Sequence, residues 1–439
     1  MCLKKIIIHR SANAFLYLPV YIAEELGFFK NLLPNVDIEI PFVKEEHEGD
    51  INALKRMSNS NKFLKNSISI CISDPTAYLS KEWEDKEESN HFRLIGALIK
   101  KLPFWGFNHL KQSFNNDSAF NSYYEEIVFY DKNLVTGNFI GKKIFNESNN
   151  IKFQERIKKY GEEFDAVKKR NNVGHNPKAF GVTADLVGLT KNVLTDNVLD
   201  KLFINYNFSE KKDEFLTTGI TTTKNVIETY TEELAKVIEG IQKAMLILSS
   251  SDLASEYVVK ILNKKYDYEM NDSQIKFALN KIRKEKIYPN DMNITMEGWG
   301  KAITARADVE GWKKVIIPNT FIKHVNNKIV LKSEKELARK LGIDLFTFQD
   351  EFVFYEDELK RKKTKESLYD FKKNVKYVLK YFLKFSNKIS VIIVLGLIIY
   401  IASETFFGRG LKAMLNTFLP FFIAYIFFWI NNKNNAKDK

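Results

Sequence analysis

Three clusters of small hydrogen-bonding residues stand where an apolar run gives way to a helical or turn-like one. The first is Ser11, Asn13 and Ala14, followed by Tyr17, within the segment from Arg10 to Tyr17. The second is Ser73, Asp74 and Thr76, with Pro75 between them. The third sets Thr136, Gly137 and Asn138 beside Thr183 and Asp185, with Thr217 and Thr218 as further members. Hydroxyls, amides and free backbone N–H groups at such junctions hold a small polar or anionic group without covalent chemistry. Helix N-termini supply unpaired donors and the positive end of the helix dipole. The same residue types also cap helices and shape turns, so each cluster alone fits a purely architectural role. Three together point to a cleft.

Catalytic patterns are missing. There is no P-loop, no G-x-G-x-x-G after a strand, no G-x-S-x-G and no H-E-x-x-H. The six histidines, His9, His47, His91, His109, His175 and His324, show no metal-type pairing. Cys2 and Cys71 are too few for a disulfide framework and match no metal spacing. Lys142 and Lys143 after Gly141 read as a solvated turn. No catalytic residue, metal or cofactor is assigned on these grounds.

The elements that must position the clusters alternate between strand and helix. Residues 6–9 read as a short apolar strand, and 19–26 as a helix led by Pro19 and ended by Gly27. A strand over 36–42, a helix over 51–64 and a strand over 67–72 follow, and Asp74-Pro75 has the form of a helix start. Residues 93–99 return to strand. A second set comprises strand 140–145, helix 151–170, strand 179–183 and a strand-like 214–218. Helices are expected over 226–248 and twice within 251–287. This order predicts an α/β fold with mostly parallel sheets, interrupted by an irregular patch at 111–122.

The C-terminal part is different. Two apolar runs, Ile389–Phe407 and Ala413–Ile430, are each close to the roughly 20 residues a bilayer-spanning helix needs, and only five residues separate them. A transmembrane helical hairpin is expected. Eleven Lys or Arg against two acids fill residues 360–388, and Lys433, Lys437 and Lys439 follow the second run. Such flanks favour the cytoplasmic side, against only Arg409 and Lys412 in the short loop. The opening residues lack a secretory apolar stretch, so the N-terminal part and the C-terminus are both expected in the cytoplasm, with the chain in the cell (inner) membrane. Nine of the twelve net positive charges belong to residues 360–388, which suits anionic lipid better than nucleic acid.

The stretch Leu18-Pro19-Val20-Tyr21-Ile22-Ala23-Glu24-Glu25-Leu26-Gly27-Phe28-Phe29 resembles the first helix of periplasmic solute-binding proteins for sulfonates, taurine and nitrate. It is equally similar to that of the thiamine-pyrimidine precursor proteins. Ser73-Asp74-Pro75, 140–144, 216–220 and 297–303 match further signatures in the same order, over about residues 4–315. The resemblance implies a two-lobed, type 2 periplasmic-binding-like α/β domain that closes on a small ligand. Lobe 1 would span 1–110 and 225–315, and lobe 2 residues 111–224. A charged helical connector over 316–388 and the hairpin would follow. By matching position, Ser11, Asn13, Ala14, Ser73, Asp74 and Thr76 would meet the ligand from one side, and Thr136, Gly137, Thr183 and Asp185 from the other. The implied function is ligand binding in company with an ABC-type transporter permease, or as a sensor, for a sulfonate, nitrate or pyrimidine. The alternative is a thiamine-pyrimidine type enzyme using the same cleft, for which His9 and His47 are the nearest reactive candidates. Exported transport members carry a signal sequence, and the synthases a cysteine-rich motif; neither is in this sequence.

Overall fold

The computed structural model describes residues 3–44, 49–63, 66–83, 86–111, 126–129, 135–140, 152–153, 162–172, 179–197, 200–210, 214–250 and 252–333. The hairpin, the connector beyond residue 333, His47, His175 and the Lys142-Lys143 turn lie outside them. Among the described residues no helix is long and apolar enough to cross a membrane.

Among the described residues, ten strands form two five-stranded sheets of the same design. The first holds β1 (Lys5–Arg10), β2 (Asp37–Glu39), β3 (Ser67–Ser73), β4 (Phe92–Ile99) and β10 (Thr218–Thr223) in the order β2-β1-β3-β10-β4. The second holds β5 (Trp105–Asn108), β6 (Glu126–Phe129), β7 (Lys152–Phe153), β8 (Ala179–Thr183) and β9 (Phe203–Asn207) in the order β7-β6-β8-β5-β9. In each, the first three strands run parallel and the fourth enters antiparallel. The inserted strand is foreign each time: β5 arrives directly from the first sheet, and β10 returns from the second. Boundaries drawn from sequence at 110/111 and 224/225 therefore differ from strand pairing, which puts Trp105–Asn108 in the second sheet and Thr218–Thr223 in the first.

Helices cover these sheets. They are α1 (Leu18–Glu25), α2 (Phe28–Leu32), α3 (Asp50–Phe63), α4 (Lys86–Ser89), α5 (Val135–Phe139), α6 (Glu162–Asn172) and α7 (Leu186–Val193). After β10 come α8 (Lys224–Thr229), α9 (Thr231–Ser250), α10 (Asp252–Lys265), α11 (Asp272–Lys284), α12 (Met296–Glu310) and α13 (Ile317–His324). Gly27 ends α1 with φ 72°, a left-handed turn that costs glycine nothing. β1 is buried on both faces, as a parallel strand covered on both sides requires.

Several stretches depart from expectation. Within the expected helix 151–170, residues 152–153 pair as β7 and the described helix starts at Glu162. Residues 135–139, given no element of their own from sequence, form a helix, because Val135 and Ile140 are buried in an apolar core with Phe180, Phe215 and Trp299. Asp74-Pro75 starts a turn and then a short 3₁₀ helix, Ala77–Leu79, rather than an α-helix. The strand near 214–218 lies further on, at 218–223, so the helical run begins only at Lys224. Packing also continues past residue 315. Phe321 and Val325 join the core around Trp299, and Ile329 and Val330 are fully buried.

Two carboxylates hold the chain where it crosses between sheets. Glu285 Oε2 accepts hydrogen bonds from Trp105 Nε1 at 2.8 Å and Ser209 Oγ at 2.6 Å, while its other oxygen meets Lys281 Nζ at 2.6 Å. Lys101 Nζ donates to its carbonyl at 2.9 Å. One residue thus pins both crossings. Asp291 holds Lys100 at 2.7 Å, with Glu214 on the return crossing 3.8 Å from the same ammonium. Thr217 ties the return crossing to the outgoing one by donating to the Lys101 carbonyl.

Candidate ligand-binding site

The register of β1 with β3 (Arg10 opposite Ile72) brings the carboxyl ends of both strands side by side. The first two clusters therefore emerge together, as expected for loops at the carboxyl edge of a parallel sheet. After β1 the chain makes a 3₁₀ turn at Phe15–Tyr17. Tyrosines of the later helical part brace this loop from behind. Tyr268 donates to the Asn13 carbonyl at 2.9 Å, and Tyr288 to the Leu16 carbonyl at 3.1 Å. Tyr17 OH and Ser11 Oγ lie 2.6 Å apart, and burial raises the Tyr17 phenol well above its usual range, so it stays a neutral donor. Ala14 is half-buried.

Asn13 is placed in the loop but turned to structural use. Its amide makes two hydrogen bonds with the Val43 backbone, at 2.8 and 3.1 Å. Arg10, at the head of the loop, is fully buried. Its guanidinium lies 4.7 Å from the Tyr21 ring centroid and 5.4 Å from that of Tyr266, and donates to the Pro41 carbonyl at 2.6 Å. His9 is turned toward α3, with Nε2 3.3 Å from Ser60 Oγ. Burial, with Arg56 adding, pushes its imidazole down to about 4, so it stays uncharged near neutrality.

The second cluster is built around charge. Asp74 Oδ1 accepts from the Thr76 N–H at 2.7 Å and the Thr76 hydroxyl at 2.8 Å, and Oδ2 from Arg306 Nη2 at 2.8 Å. Arg306, near the end of α12, also donates to Thr76 Oγ1 at 3.2 Å and to Glu310 at 3.3 Å. The Asp74 N–H donates to Asp50 Oδ1 at 2.9 Å, which draws the first residue of α3 into the cluster. Ser73 is buried beneath it, its hydroxyl 3.4 Å from the Asp74 carbonyl. Burial raises the Asp50 carboxyl to about 6, the neighbouring Asp74 charge adding and the Asp74 N–H and Arg306 opposing. Cys71 is buried close by and its thiol is pushed up to about 12 by that burial, too high for a reactive thiolate.

The third cluster is divided. The Thr183 hydroxyl donates to Glu163 at 2.6 Å and accepts from the Asp185 N–H at 2.8 Å. Asp185 caps α7, taking the N–H groups of Val187 and Gly188 at 3.1 and 3.0 Å, and burial raises its carboxyl. Thr136 and Gly137 instead fall on α5, which packs against α12, and the Asn138 side chain lies outside the described residues. Thr217 and Thr218 belong to the crossing and to β10.

α7, rooted at the carboxyl end of β8, packs against the Phe15–Tyr17 turn and against α11, and Lys191 at its end lies 3.5 Å from Glu269. The strand-end elements of the two sheets therefore face each other, with Ser11, Tyr17, Asp50, Asp74 and Thr76 on one side and Thr183 and Asp185 on the other. Asp50, Arg306, Glu310 and Glu163 are members that sequence reasoning missed. For Arg306 a signal existed: an Arg–Glu pair four residues apart on a helix otherwise lined by Gly298, Gly300, Ala302, Ala305 and Ala307. Among the described residues no group of three His, Cys, Asp or Glu is arranged to hold a metal ion.

No protein-family model matches the sequence. No curated protein is similar to it at a significant level. Solved structures are similar in fold. A putative sulfonate ABC transporter's periplasmic sulfonate-binding protein from Methylobacillus flagellatus KT aligns over 76% of this chain and 95% of its own, with TM-score 0.52 and 9% identity. The periplasmic aliphatic sulphonate binding protein of Escherichia coli aligns over 69% and 85%, with TM-score 0.50 and 8% identity. The periplasmic nitrate-binding protein of Synechocystis PCC 6803 aligns over 78% and 89%, with TM-score 0.49 and 8% identity. Two five-stranded sheets, each completed by a strand from the other half, agree with that likeness: the chain has the type 2 periplasmic-binding-protein fold.

Proposed function

We propose that this chain is a membrane-anchored solute-binding module that takes a small polar ligand between its two sheets, as the binding component or sensor of an ABC-type transporter. The observation that carries the reading is the meeting of α7 with the Phe15–Tyr17 turn, which sets the strand-end loops of both sheets against one another. Ligands of doubly wound folds sit at such edges.

The residues favour one part of the expected ligand range. Asp50, Asp74 and Glu310 gather about Arg306, so this corner of the first side is rich in carboxylate acceptors, while Arg56 donates to the Arg10 carbonyl at the end of β1. A bare sulfonate or nitrate is poorly matched to that corner. A ligand with amine or hydroxyl donors, such as an aminopyrimidine, complements the carboxylates. The pH dependence separates the two. A donor or cation against Asp50 favours its ionised form, so affinity rises with pH through about 6. Thermal-shift and calorimetric titration of the full chain against sulfonates, nitrate and aminopyrimidines should find a ligand that binds about tenfold tighter at about pH 7.5 than at about pH 5. The preference should vanish in Asp50→Asn. A ligand that binds tighter at the lower pH would sink this assignment.

The anchor is the apolar pair Ile389–Phe407 and Ala413–Ile430, with both chain ends on the cytoplasmic face. The support is the excess of Lys and Arg on its flanks. Reporter fusions before residue 1 and after Lys439 should both read as cytoplasmic. A fusion in the Gly408–Lys412 loop should read as translocated, and the reverse pattern would refute the orientation.

A further inference from the structure

The end of the described chain carries a surface that ligand binding does not use. Of eight exposed large apolar side chains among the described residues, five fall between Met296 and Leu331. Trp312 is 36% exposed, Ile316 49% and Ile322 77%. They line the turn into α13 and its outer face. The inner face is otherwise engaged: Ile317, Phe321 and Val325 pack on the core, His324 is buried, and Trp299 donates to Thr320 at 3.0 Å. The outer face of α13 thus exposes Ile322 and Pro318 beside Asn319 and Lys323, an apolar content above that of an ordinary polar surface face.

The segment that carries this face has charge of one sign. Residues 311–333 contain five lysines and no Asp or Glu. Lys332 pairs with Glu232, whereas Lys313, Lys314, Lys323 and Lys328 are exposed and make no ion pair among the described residues. Tryptophan and isoleucine side chains ringed by unpaired lysines match the boundary between acyl chains and anionic headgroups. Aromatic rings prefer that depth, and lysines gain from the negative surface potential.

We infer that Trp312, Ile316 and Ile322, with Lys313, Lys314 and Lys323, form a docking face for an anionic lipid surface, so that the domain lies on the bilayer. The inference rests on the membrane-anchor reading only for bringing the domain to a membrane.

The test uses the full chain carrying Ile322→Cys, with Cys2→Ser and Cys71→Ala, labelled with an environment-sensitive fluorophore. It is mixed with vesicles of phosphatidylcholine alone or with phosphatidylglycerol added, each containing a headgroup-proximal doxyl quencher. Quenching is expected with phosphatidylglycerol and not without it. Replacing Lys313, Lys314 and Lys323 by Glu should abolish it, since each lysine lost lowers the docked population about fivefold at an anionic surface. An unquenched label with phosphatidylglycerol overturns the proposal, as does equal quenching on both vesicles that survives the triple substitution. A label shielded without lipid, together with a doubled mass by light scattering, assigns the face to contact between copies instead and also overturns it. Retention after alkaline washing reports the anchor separately: quenching without retention keeps the docking face and removes the hairpin.

Discussion

Arg306→Ala should lose about 3–5 kcal/mol of folding stability near neutral pH, measured by denaturant unfolding. The guanidinium bonds both Asp74 and Glu310, and its side chain is only 10% exposed; the Lys81 ammonium stands 4.0 Å from Glu310. Removing it takes three donated hydrogen bonds from Thr76, Glu310 and Asp74 beside Asp50, leaving Asp74 with the Thr76 N–H and hydroxyl and Glu310 with the Lys81 N–H. The deficit should shrink in mild acid. A buried carboxylate that has lost its cation carries its penalty only while ionised, so protonation in acid removes it. Arg306→Lys should recover part of the charge but not the fork that reaches Thr76, Asp74 and Glu310 together. A variant as stable as the parent at neutral pH would show that this cluster does not hold α12 to the turn after β3.

Glu285→Ala should be comparably damaging, by about 3–5 kcal/mol, but for a different reason. It deprives the buried Trp105 indole of its acceptor, leaves the buried Ser209 hydroxyl with Asn207 Oδ1 at 2.7 Å, and breaks the ion pair of Lys281. Both crossings lose their anchor at once. Glu285→Gln keeps an acceptor for Trp105 and Ser209 and should lose much less. Hydrogen exchange gives the specific readout: amides around residues 100–105 and 208–217 should exchange faster in Glu285→Ala, while those of β1 and β3 keep their protection. Uniform loss of protection across both sheets would mean that Glu285 serves the core and not the crossings.

Much of this was readable from periodicity. β1, β3, β4 and β8 fall within about a residue of their expected places, and α1 begins at Leu18 and stops before Gly27, as its Pro and Gly dictate. α5 was not readable. Val, Thr, Gly and Asn are poor helix formers and good turn formers, and only burial of Val135 against distant residues reverses that preference. The site divided in the same way. Ser11, Asp74 and Thr183 could be placed at strand ends from sequence because junction chemistry is local. Arg306 lies 232 residues from Asp74 and Glu285 lies 180 from Trp105, so no local pattern announces either pairing. Asn13 shows the opposite failure. An amide in a loop reads as a ligand contact, yet this one closes a backbone bridge to Val43, so its loss would be felt as a loosened loop.

The exchange of strands between the sheets sets an order of events during synthesis. β3 and β4 are neighbours in sequence but not in space, because Thr218–Thr223 lies between them. At about 5–20 residues per second, the ribosome needs roughly 6–25 s after finishing β4 to deliver that strand. Throughout that interval the first sheet has an open slot, and its β3 edge offers unpaired N–H and C=O groups to any strand that arrives early. β5 is the first to emerge, and its productive partners, β8 and β9, are still unmade. The nascent chain thus passes through a stage in which its most apolar strands are present and its closing strand is not. A holdase that shields the β3 edge would act there, long before any ligand or membrane is met.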